Sequence, residues 1–301
     1  MPRERHSDRT LKTALLILRQ LRPHQWVKNL LVFAPLFFSE SWTLPLAQRS
    51  LAAFVVFSLL ASAGYCLNDL LDYEKDKNHP VKRSRPIASG ALPRRVAWLC
   101  ATLLALTAML IAFAFSRSLF GVAGIYLVLQ LSYSLLLKNI AILDLLVLST
   151  FYVLRVLAGA VVTGILPSTW IITFTWLISL MLATGKRYSE VAHRGTRAQL
   201  SRPVLLRYSP QHLRQFVTAF GALSIMCYIL WCQEAIGRWR FSTFEILPSV
   251  LIVSYGILRY TLLVLQKRFD DDPTRGLLGD PPIIASVVVF LLYLGAVIYE
   301  F

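Results

Sequence analysis

The chain has 301 residues, of which 56% are apolar and only 16% charged, and its mean hydropathy is +0.59. Soluble domains of this length seldom combine so many apolar residues with so few charges, so the composition excludes an ordinary soluble protein or a nucleic-acid-binding module. The formal charge of +15 instead favours an anionic membrane surface or a phosphorylated substrate as partner. The four cysteines include no CxxC pair, which excludes a disulfide framework and a zinc site.

Hydropathy predicts nine membrane-spanning helices, because a bilayer core about 30 Å thick requires roughly 20 apolar residues per helix. The first predicted span is short and contains Pro35, and Gly164 and Pro167 mark the turn between the fifth and sixth spans. The predicted spans are 26–39, 50–68, 96–115, 118–137, 139–163, 168–184, 214–234, 244–265 and 281–300.

The basic residues support this count. With the N-terminus inside, 25 of the 31 Lys and Arg residues fall on one face of the membrane and four on the other. The positive-inside rule then places the N-terminus and the loops 69–95 and 185–213 in the cytoplasm, and the C-terminus outside an inner (cytoplasmic) membrane. We expect one transmembrane domain over 1–301, preceded within 1–22 by an amphipathic surface helix at 9–22.

An acidic motif follows the second span. Asp69, Asp72 and Asp76 stand at helical spacing, which places them within about 60° of one another on one helix face. Such carboxylates repel one another unless a cation compensates them, and magnesium prefers carboxylate, water and phosphate oxygens. Asn68 can add a neutral oxygen. The alternative is that the acids only pair with nearby lysines at the membrane surface, namely Lys75, Lys77 and Lys82.

A basic loop comes directly after the acidic motif. It contains Lys82, Arg83 and Arg85, and two prolines keep it from being helical. Guanidinium groups beside a magnesium site could clamp a diphosphate, although an ordinary cytoplasmic loop would explain the charge alone. His79 lies in this segment, and its role is open.

These two segments carry a family resemblance. The sequence NDLLDYEKD (68–76) has the form NDxxDxxxD, and with KRSRPIASG (82–90) it resembles the first signature of the UbiA superfamily of intramembrane prenyltransferases. The resemblance implies an all-α integral membrane protein with nine transmembrane helices around a central cavity open to the cytoplasm. It also implies Mg²⁺ and a bound diphosphate.

The second polar loop departs from that pattern. Most members carry a second Asp-rich motif after the sixth helix, whereas GKRYSE (185–190) has two bases and one acid, Glu190. We therefore expect phosphate binding, with Lys186 as a point charge and Arg187 as a two-pronged donor. Together with RPHQWVKN (22–29), segment 65–90, QLSYSLLLKN (130–139) and the fifth helix, this motif resembles decaprenyl-phosphate phosphoribosyltransferases over about two-thirds of the chain.

This branch implies phosphoribosyl pyrophosphate (PRPP) as donor and a polyprenyl phosphate lipid as acceptor. Asn68, Asp69, Asp72 and Asp76 would then hold magnesium and pyrophosphate. The candidates for binding the sugar and lipid phosphates are Lys28, Lys82, Arg83, Arg85, Lys186 and Arg187. Tyr133 and Tyr188 could also donate to phosphates, although tyrosines often only anchor a protein at the membrane interface.

Two charges lie within the fifth span, where an unpaired charge costs about 2.5–3.5 kcal/mol on insertion scales. Asp144 is near the cytoplasmic end and is expected to reach the substrate. Arg155 lies about three turns deeper, roughly 16 Å along the axis, and either contacts substrate or forms an inter-helix salt bridge. The run Asp270–Asp272 is expected to be a solvated loop.

The sequence thus predicts a membrane glycosyltransferase that transfers 5-phosphoribose from PRPP to a polyprenyl phosphate. One alternative is a prenyltransferase acting on an aromatic or other small acceptor, although the basic GKRYSE segment opposes it. Another is a transporter, although the candidate residues crowd one face of the membrane. A homo-oligomer is compatible with all three functions.

Overall fold

The computed structural model describes residues 13–39, 41–194, 203–238, 242–266 and 273–299. All regular secondary structure in these ranges is helical. The N-terminal half contains α1 (13–21), a 3-10 helix Pro23–Phe33, α2 (Ala34–Phe37), α3 (Leu44–Leu71), α4 (Tyr73–Lys77), α5 (Arg94–Phe115) and α6 (Arg117–Leu135). The C-terminal half contains α7 (Leu143–Thr163), α8 (Thr169–Arg194), α9 (Pro210–Arg238), α10 (Thr243–Leu265), α11 (Pro273–Leu278) and α12 (Pro281–Tyr299). Short 3-10 helices cover Lys82–Ser84, Leu137–Asn139 and Pro203–Arg207.

Among the described residues, eight helices are long and apolar enough to cross a membrane, and they match the second to ninth predicted spans. They are α3, α5, α6, α7, α8, α9, α10 and α12. The prediction of an all-helical integral membrane protein is therefore confirmed. Because each of these helices satisfies its own backbone hydrogen bonds, it is suited to a medium without water.

The first predicted span, 26–39, does not form one long α-helix. The 3-10 helix Pro23–Phe33 occupies most of it, and the one-turn helix α2 follows. Pro35 lies at this junction and cannot donate a backbone hydrogen bond. The count of nine spans, the central cavity and the membrane orientation are not confirmed and remain predictions.

The predicted amphipathic helix at 9–22 is described only in part. Residues 13–21 are helical, with Leu15 and Leu18 more than half exposed and Gln20 buried, whereas residues 9–12 lie outside the described ranges. Two exposed leucines on consecutive turns fit a surface helix, but its contact with a membrane remains a prediction.

The chain divides into two compact units, and the predicted single domain over 1–301 remains a prediction. The first unit comprises Met1–Ala34, Thr43–Lys138 and Leu157–Gly164. Within it, α3 packs against α5, α6 and the 3-10 helix Pro23–Phe33. Two side-chain hydrogen bonds fix that 3-10 helix to α3, because Trp26 donates to Ser62 and Asn29 donates to Ser58, each at 3.0 Å. The N-terminal polar segment is thereby held beside the acidic end of α3.

The second unit comprises Pro35–Trp42, Asn139–Val156 and Ile165–Phe301. Within it, α8 packs against α9, and α10 packs against α9 and α12. The core around α8 includes Leu180, Met181, Ile257 and Tyr260. Gly185 is required at the closest approach, because a Cβ atom there would collide with the Tyr260 hydroxyl. This packing places the GKRYSE segment on a mostly buried part of α8.

Candidate active site

The acidic motif lies where α3 passes into α4, within the first unit. Asp72 interrupts the helix with φ −91° and ψ 10°. The hydrogen-bond ladder nevertheless continues, since the Asp72 N–H donates to the Asn68 carbonyl at 2.9 Å and the Asp76 N–H to the Asp72 carbonyl at 2.8 Å. The near-helical path explains why Asp69 and Asp76, seven residues apart, converge.

A single arginine nitrogen joins these two carboxylates. Arg85 Nη1 lies 2.8 Å from Asp69 Oδ1 and 2.6 Å from Asp76 Oδ2. The other oxygen of Asp69 accepts hydrogen bonds from Gln20 Nε2 at 2.8 Å and Arg22 Nη2 at 2.6 Å. Asp69 is only 2% exposed, so three donors from two distant segments satisfy its charge.

The third carboxylate of the motif has a different partner. Lys138 Nζ lies 2.8 Å from Asp72 Oδ1 and 3.3 Å from Asn68 Oδ1. We define Asp69, Asp72 and Asp76 as the acidic cluster. Arg22 and Lys138 come from distant segments and Arg85 from the loop that follows, whereas Lys75 and Lys77 are exposed. Of the three lysines in the alternative interpretation, Lys75 and Lys77 are therefore not favoured as partners, whereas Lys82 lies close enough to act on the charge of Asp76.

Burial raises the pKa of the Asp76 carboxyl above its usual value, and the nearby Arg85 and Lys82 offset only part of this effect. The charged form is disfavoured because removal from water outweighs the attraction of the guanidinium. A bound divalent cation would add positive charge at this point, which favours the ionised carboxylate.

The donor set of the acidic cluster fits magnesium. Asp69 and Asp76 bring two carboxylate oxygens against one positively charged nitrogen, and the Oε1 atom of Gln20 is buried without a hydrogen-bond partner beside them. Within the described ranges, no three His, Cys, Asp or Glu side chains are close enough to enclose an ion by themselves. Magnesium commonly takes one or two carboxylates and completes its shell with water and phosphate oxygens.

The basic loop folds next to these carboxylates. Its conformation depends on His79, which is buried and whose Nδ1 accepts hydrogen bonds from the backbone N–H groups of Val81 at 3.2 Å and Lys82 at 3.1 Å. The loop ends at Gly90, whose φ of +78° suits glycine. Arg83 points to solvent and Lys82 is half-buried. His79 therefore shapes the loop. Of the loop's basic residues, Arg85 contacts the acidic cluster and Arg83 faces solvent.

Two further predicted residues of the first unit lie on neighbouring elements. Lys28 is half-buried on the 3-10 helix and donates to Gln25 Oε1 at 2.5 Å. Tyr133 is buried near the end of α6, five residues before Lys138. Their predicted contacts with phosphate remain predictions.

A second charged cluster lies within the second unit. Arg187 on α8 is fully buried, and its Nε atom lies 2.7 Å from Asp144 Oδ2 while its Nη1 atom lies 2.8 Å from Glu190 Oε2. Asp144 stands in the first turn of α7, where the helix dipole favours a negative charge. We define Asp144, Arg187, Glu190 and Tyr208 as the arginine cluster. Arg187 lies between these two carboxylates, and its predicted contact with phosphate remains a prediction.

Tyr208 completes the arginine cluster from the segment that precedes α9. Its hydroxyl donates to Asp144 Oδ1 at 2.6 Å and accepts from the Ile142 N–H at 2.6 Å. Ile142 has φ +68°, a left-handed conformation that costs a β-branched residue about 1–3 kcal/mol. Burial and the adjacent Asp144 raise the pKa of Tyr208, so the hydroxyl remains protonated near neutral pH.

The other predicted residues of the second unit are separate from these contacts. Lys186 is half-buried, and Tyr188 packs into the apolar core around α8. Arg155 Nη1 donates to the Phe151 carbonyl of its own helix at 2.5 Å, and its guanidinium lies 5.5 Å from the Tyr152 ring centre. Both contacts lie within α7, and the two alternatives for Arg155, substrate contact and an inter-helix salt bridge, remain predictions. Asp270–Asp272 lie outside the described residues.

Four residues with prominent contacts were not among the sequence candidates: Gln20, Arg22, Lys138 and Tyr208. Arg22 and Lys138 do stand in RPHQWVKN and QLSYSLLLKN, which gave a signal for them. Gln20 and Tyr208 belong to none of the motifs. Their partners are 49 and 64 residues away, so spacing along the chain could not indicate them.

Residues 30–277 match the model of the UbiA prenyltransferase family. The chain belongs to the UbiA prenyltransferase family. It is 33% identical over 291 residues to the decaprenyl-phosphate phosphoribosyltransferase of Mycolicibacterium smegmatis, and the matched region covers 93% of this chain and 91% of the relative. It is 36% identical over 275 residues to the protein of the same name from Mycobacterium tuberculosis, which covers 89% and 87%.

The family's fold is also present. A UbiA homologue from Archaeoglobus fulgidus, solved with DMAPP and Mg²⁺, matches with a TM-score of 0.70 over 94% of this chain and 99% of that one. At 18% sequence identity, this likeness concerns the fold alone.

Proposed function

We propose that the protein transfers 5-phosphoribose from PRPP to a polyprenyl phosphate, such as decaprenyl phosphate, and releases pyrophosphate. The observation that carries this proposal is the similarity to decaprenyl-phosphate phosphoribosyltransferases over about nine-tenths of the chain. The two charged clusters contain the kinds of side chain that such a transfer requires, which supports the proposal.

The acidic cluster would bind the pyrophosphate end of PRPP. Asp69, Asp72 and Asp76 would hold magnesium, which when bound neutralises charge on the diphosphate and makes it a better leaving group. Arg85 and Arg22 already lie against these carboxylates, at 2.6–2.8 Å. Their side chains are about one-quarter exposed, so they can also donate to phosphate oxygens that enter from solvent.

The transfer is a substitution at the anomeric carbon. The C1–O bond to pyrophosphate breaks and its electron pair leaves with the pyrophosphate, while a lipid phosphate oxygen forms the new bond to C1. The lipid phosphate is already an anion near neutral pH, so no strong general base is required. The cationic side chains act by stabilising the charge that develops on the leaving group.

The arginine cluster favours this transfer over prenyl transfer to a small acceptor. In the second unit, Asp144 and Glu190 both bind Arg187, so a cation of the protein itself occupies these carboxylates. Lys186 precedes Arg187 on the same helix and would bind a sugar or lipid phosphate. A second magnesium-binding carboxylate set would instead be expected of a prenyltransferase.

The activity is tested with purified protein, MgCl₂, PRPP and decaprenyl phosphate, with mass spectrometry of the lipid and measurement of released pyrophosphate. We expect a lipid product heavier by one phosphoribosyl group, its loss with EDTA, and its loss in Asp72→Asn protein prepared in parallel. Parallel reactions contain a prenyl diphosphate and an aromatic acceptor. Turnover only in those reactions would establish the prenyltransferase, and turnover in neither would contradict both enzymes.

We further propose nine membrane spans in a bacterial inner membrane, with the N-terminus in the cytoplasm and the C-terminus outside. The excess of basic residues on the loops that carry both clusters supports this orientation. Alkaline phosphatase fused after Phe301 should be active, because this reporter works only outside the cytoplasm, and a fusion within 195–202 should be inactive. The reverse pattern would contradict the orientation.

A further inference from the structure

Tyr208 has a hydroxyl whose role can be separated from that of its ring. The ring is buried in the apolar core of the second unit with Leu205 and Leu213. A phenylalanine would fill the same space, so the hydroxyl contributes only its two hydrogen bonds. Both bonds are 2.6 Å long and join groups on other parts of the chain.

Those two bonds link three segments. The Tyr208 hydroxyl accepts from the N–H of Ile142, in the turn before α7, and donates to Asp144 in the first turn of α7. Asp144 uses its other oxygen to bind Arg187 on α8. With one partner on each oxygen, the carboxylate of Asp144 has a single orientation, and that orientation fixes the guanidinium of Arg187.

The turn before α7 also depends on Tyr208. Ile142 has a left-handed backbone at φ +68°, which a β-branched residue adopts only when its surroundings hold it there. The hydrogen bond from its N–H to the tyrosine hydroxyl is one such restraint. Removal of the hydroxyl would free both the turn and one oxygen of Asp144.

We propose that Tyr208 is a positioning residue for phosphoribosyl transfer, an inference that rests on the proposed function. Its hydroxyl orients Asp144, Asp144 orients Arg187, and Arg187 fixes the end of α8 that carries Lys186. Tyr208 acts through these residues and does not itself contact the reacting atoms. Small errors in the placement of a binding group lower turnover strongly, because a displacement of about 1 Å already exceeds what productive geometry allows.

The test compares Tyr208→Phe with Tyr228→Phe as a matched control. Tyr228 is also a buried tyrosine of the second unit, and its hydroxyl donates to Ser249 at 2.8 Å, away from the arginine cluster. We expect Tyr208→Phe to lower kcat/KM for PRPP about tenfold, and Tyr228→Phe to leave it within about twofold. The decrease should be uniform between about pH 6 and 9, because a positioning group does not change the shape of the pH profile.

A double-mutant cycle identifies the route of the effect. If Tyr208 acts through Asp144, Tyr208→Phe should add little to the loss caused by Asp144→Asn. If Tyr208→Phe alone unfolds, the double variant Tyr208→Phe/Ile142→Gly separates the loss of stability from the loss of activity. Glycine adopts φ +68° without strain, so stability should recover while kcat/KM remains low.

The outcomes separate this inference from the proposed function. Wild-type protein without phosphoribosyl transfer activity would contradict the proposed function, and the inference with it. Active wild-type protein with an unimpaired Tyr208→Phe variant would overturn the inference alone. Three other results would also overturn the inference alone. They are equal losses of activity in Tyr208→Phe and Tyr228→Phe, additive losses from Tyr208→Phe and Asp144→Asn, and activity that returns together with stability when Ile142→Gly is added to Tyr208→Phe.

Discussion

The acidic cluster and the arginine cluster contain the same kinds of charged group but differ in exposure. The arginines that pair with the acidic cluster, Arg22 and Arg85, have side chains that are 23% and 26% exposed. In the arginine cluster, the side chains of Arg187 and Asp144 are both fully buried. A cation at the edge of solvent can exchange a carboxylate for a phosphate or yield its place to magnesium. An enclosed cation has no such freedom, so its principal effect is on the geometry of the protein.

Ion pairs at the edge of solvent and enclosed ion pairs contribute differently to the free energy of unfolding. An ion pair contributes about 0–1 kcal/mol when both partners are exposed, because water and salt screen it, and a pair with one partner at the solvent edge is still partly screened. Removing one partner of a buried pair costs about 3–5 kcal/mol because the remaining charge is left without compensation. The comparison therefore predicts that the acidic cluster determines activity, whereas the arginine cluster determines both stability and position.

The largest effect should come from Arg187→Ala. It leaves Asp144 and Glu190 buried without their cation, so the free energy of unfolding should fall by about 3–5 kcal/mol. Arg85→Ala should lower it by a smaller amount, because Asp69 keeps its hydrogen bonds from Arg22 and Gln20 and the Arg85 side chain reaches solvent. Chemical denaturation in detergent micelles measures both variants. Equal losses of stability would show that the two clusters do not differ as their exposure indicates.

Asp72→Asn should have the next largest effect, this time on turnover. It preserves shape but removes one charge from the proposed magnesium site, so kcat should fall at least about a hundredfold, or roughly 2.7 kcal/mol of transition-state stabilisation. Asp280→Asn is the control, because Asp280 binds Arg259 outside both clusters. Near-normal turnover of Asp72→Asn, or wild-type turnover that survives EDTA, would argue against magnesium binding at this carboxylate.

Arg85→Ala should weaken the use of PRPP by about 1.5–3 kcal/mol, the range for a hydrogen bond to a charged group. Arg85→Lys should recover only part of this loss, because an ammonium group lacks the planar fork of a guanidinium. Initial rates at varied PRPP concentration measure the effect. Arg95→Ala, an exposed arginine at the start of α5, is the control for loss of one positive charge. An equal loss in both variants would indicate a general effect of charge.

The smallest effect concerns the pH dependence of stability through Asp76. Because its folded-state pKa lies above the ordinary value of 3.8, the stability linked to its proton is complete below about pH 3.8. That contribution is lost as pH rises through the folded-state pKa. In EDTA, Asp76→Asn should therefore gain stability relative to wild type as pH rises toward 7. Thermal unfolding at several pH values tests this, and a wild-type advantage that grows with pH would contradict it.

The sequence determined much of the fold. Apolar runs of about 20 residues predicted eight of the helices that the structure contains, because spanning a bilayer requires a helix of that length. The first predicted span depended on hydropathy alone, and there the 3-10 helix Pro23–Phe33 and Pro35 prevent one long α-helix. Hydropathy reports whether a segment is apolar but does not report its backbone conformation.

For the candidate site, the sequence determined which groups are present and the tertiary structure decided which of them pair. Helical periodicity places Asp69 and Asp76 together, since it depends only on neighbouring residues. The pairs Arg22–Asp69, Lys138–Asp72 and Tyr208–Asp144 instead join residues 47, 66 and 64 positions apart. Charge pairing of this kind depends on distance in space and on exclusion of water, which exist only after the helices have packed. Arg187 illustrates the difference. Its sequence motif predicts a phosphate-binding side chain, and in the folded protein this side chain lies between two buried carboxylates.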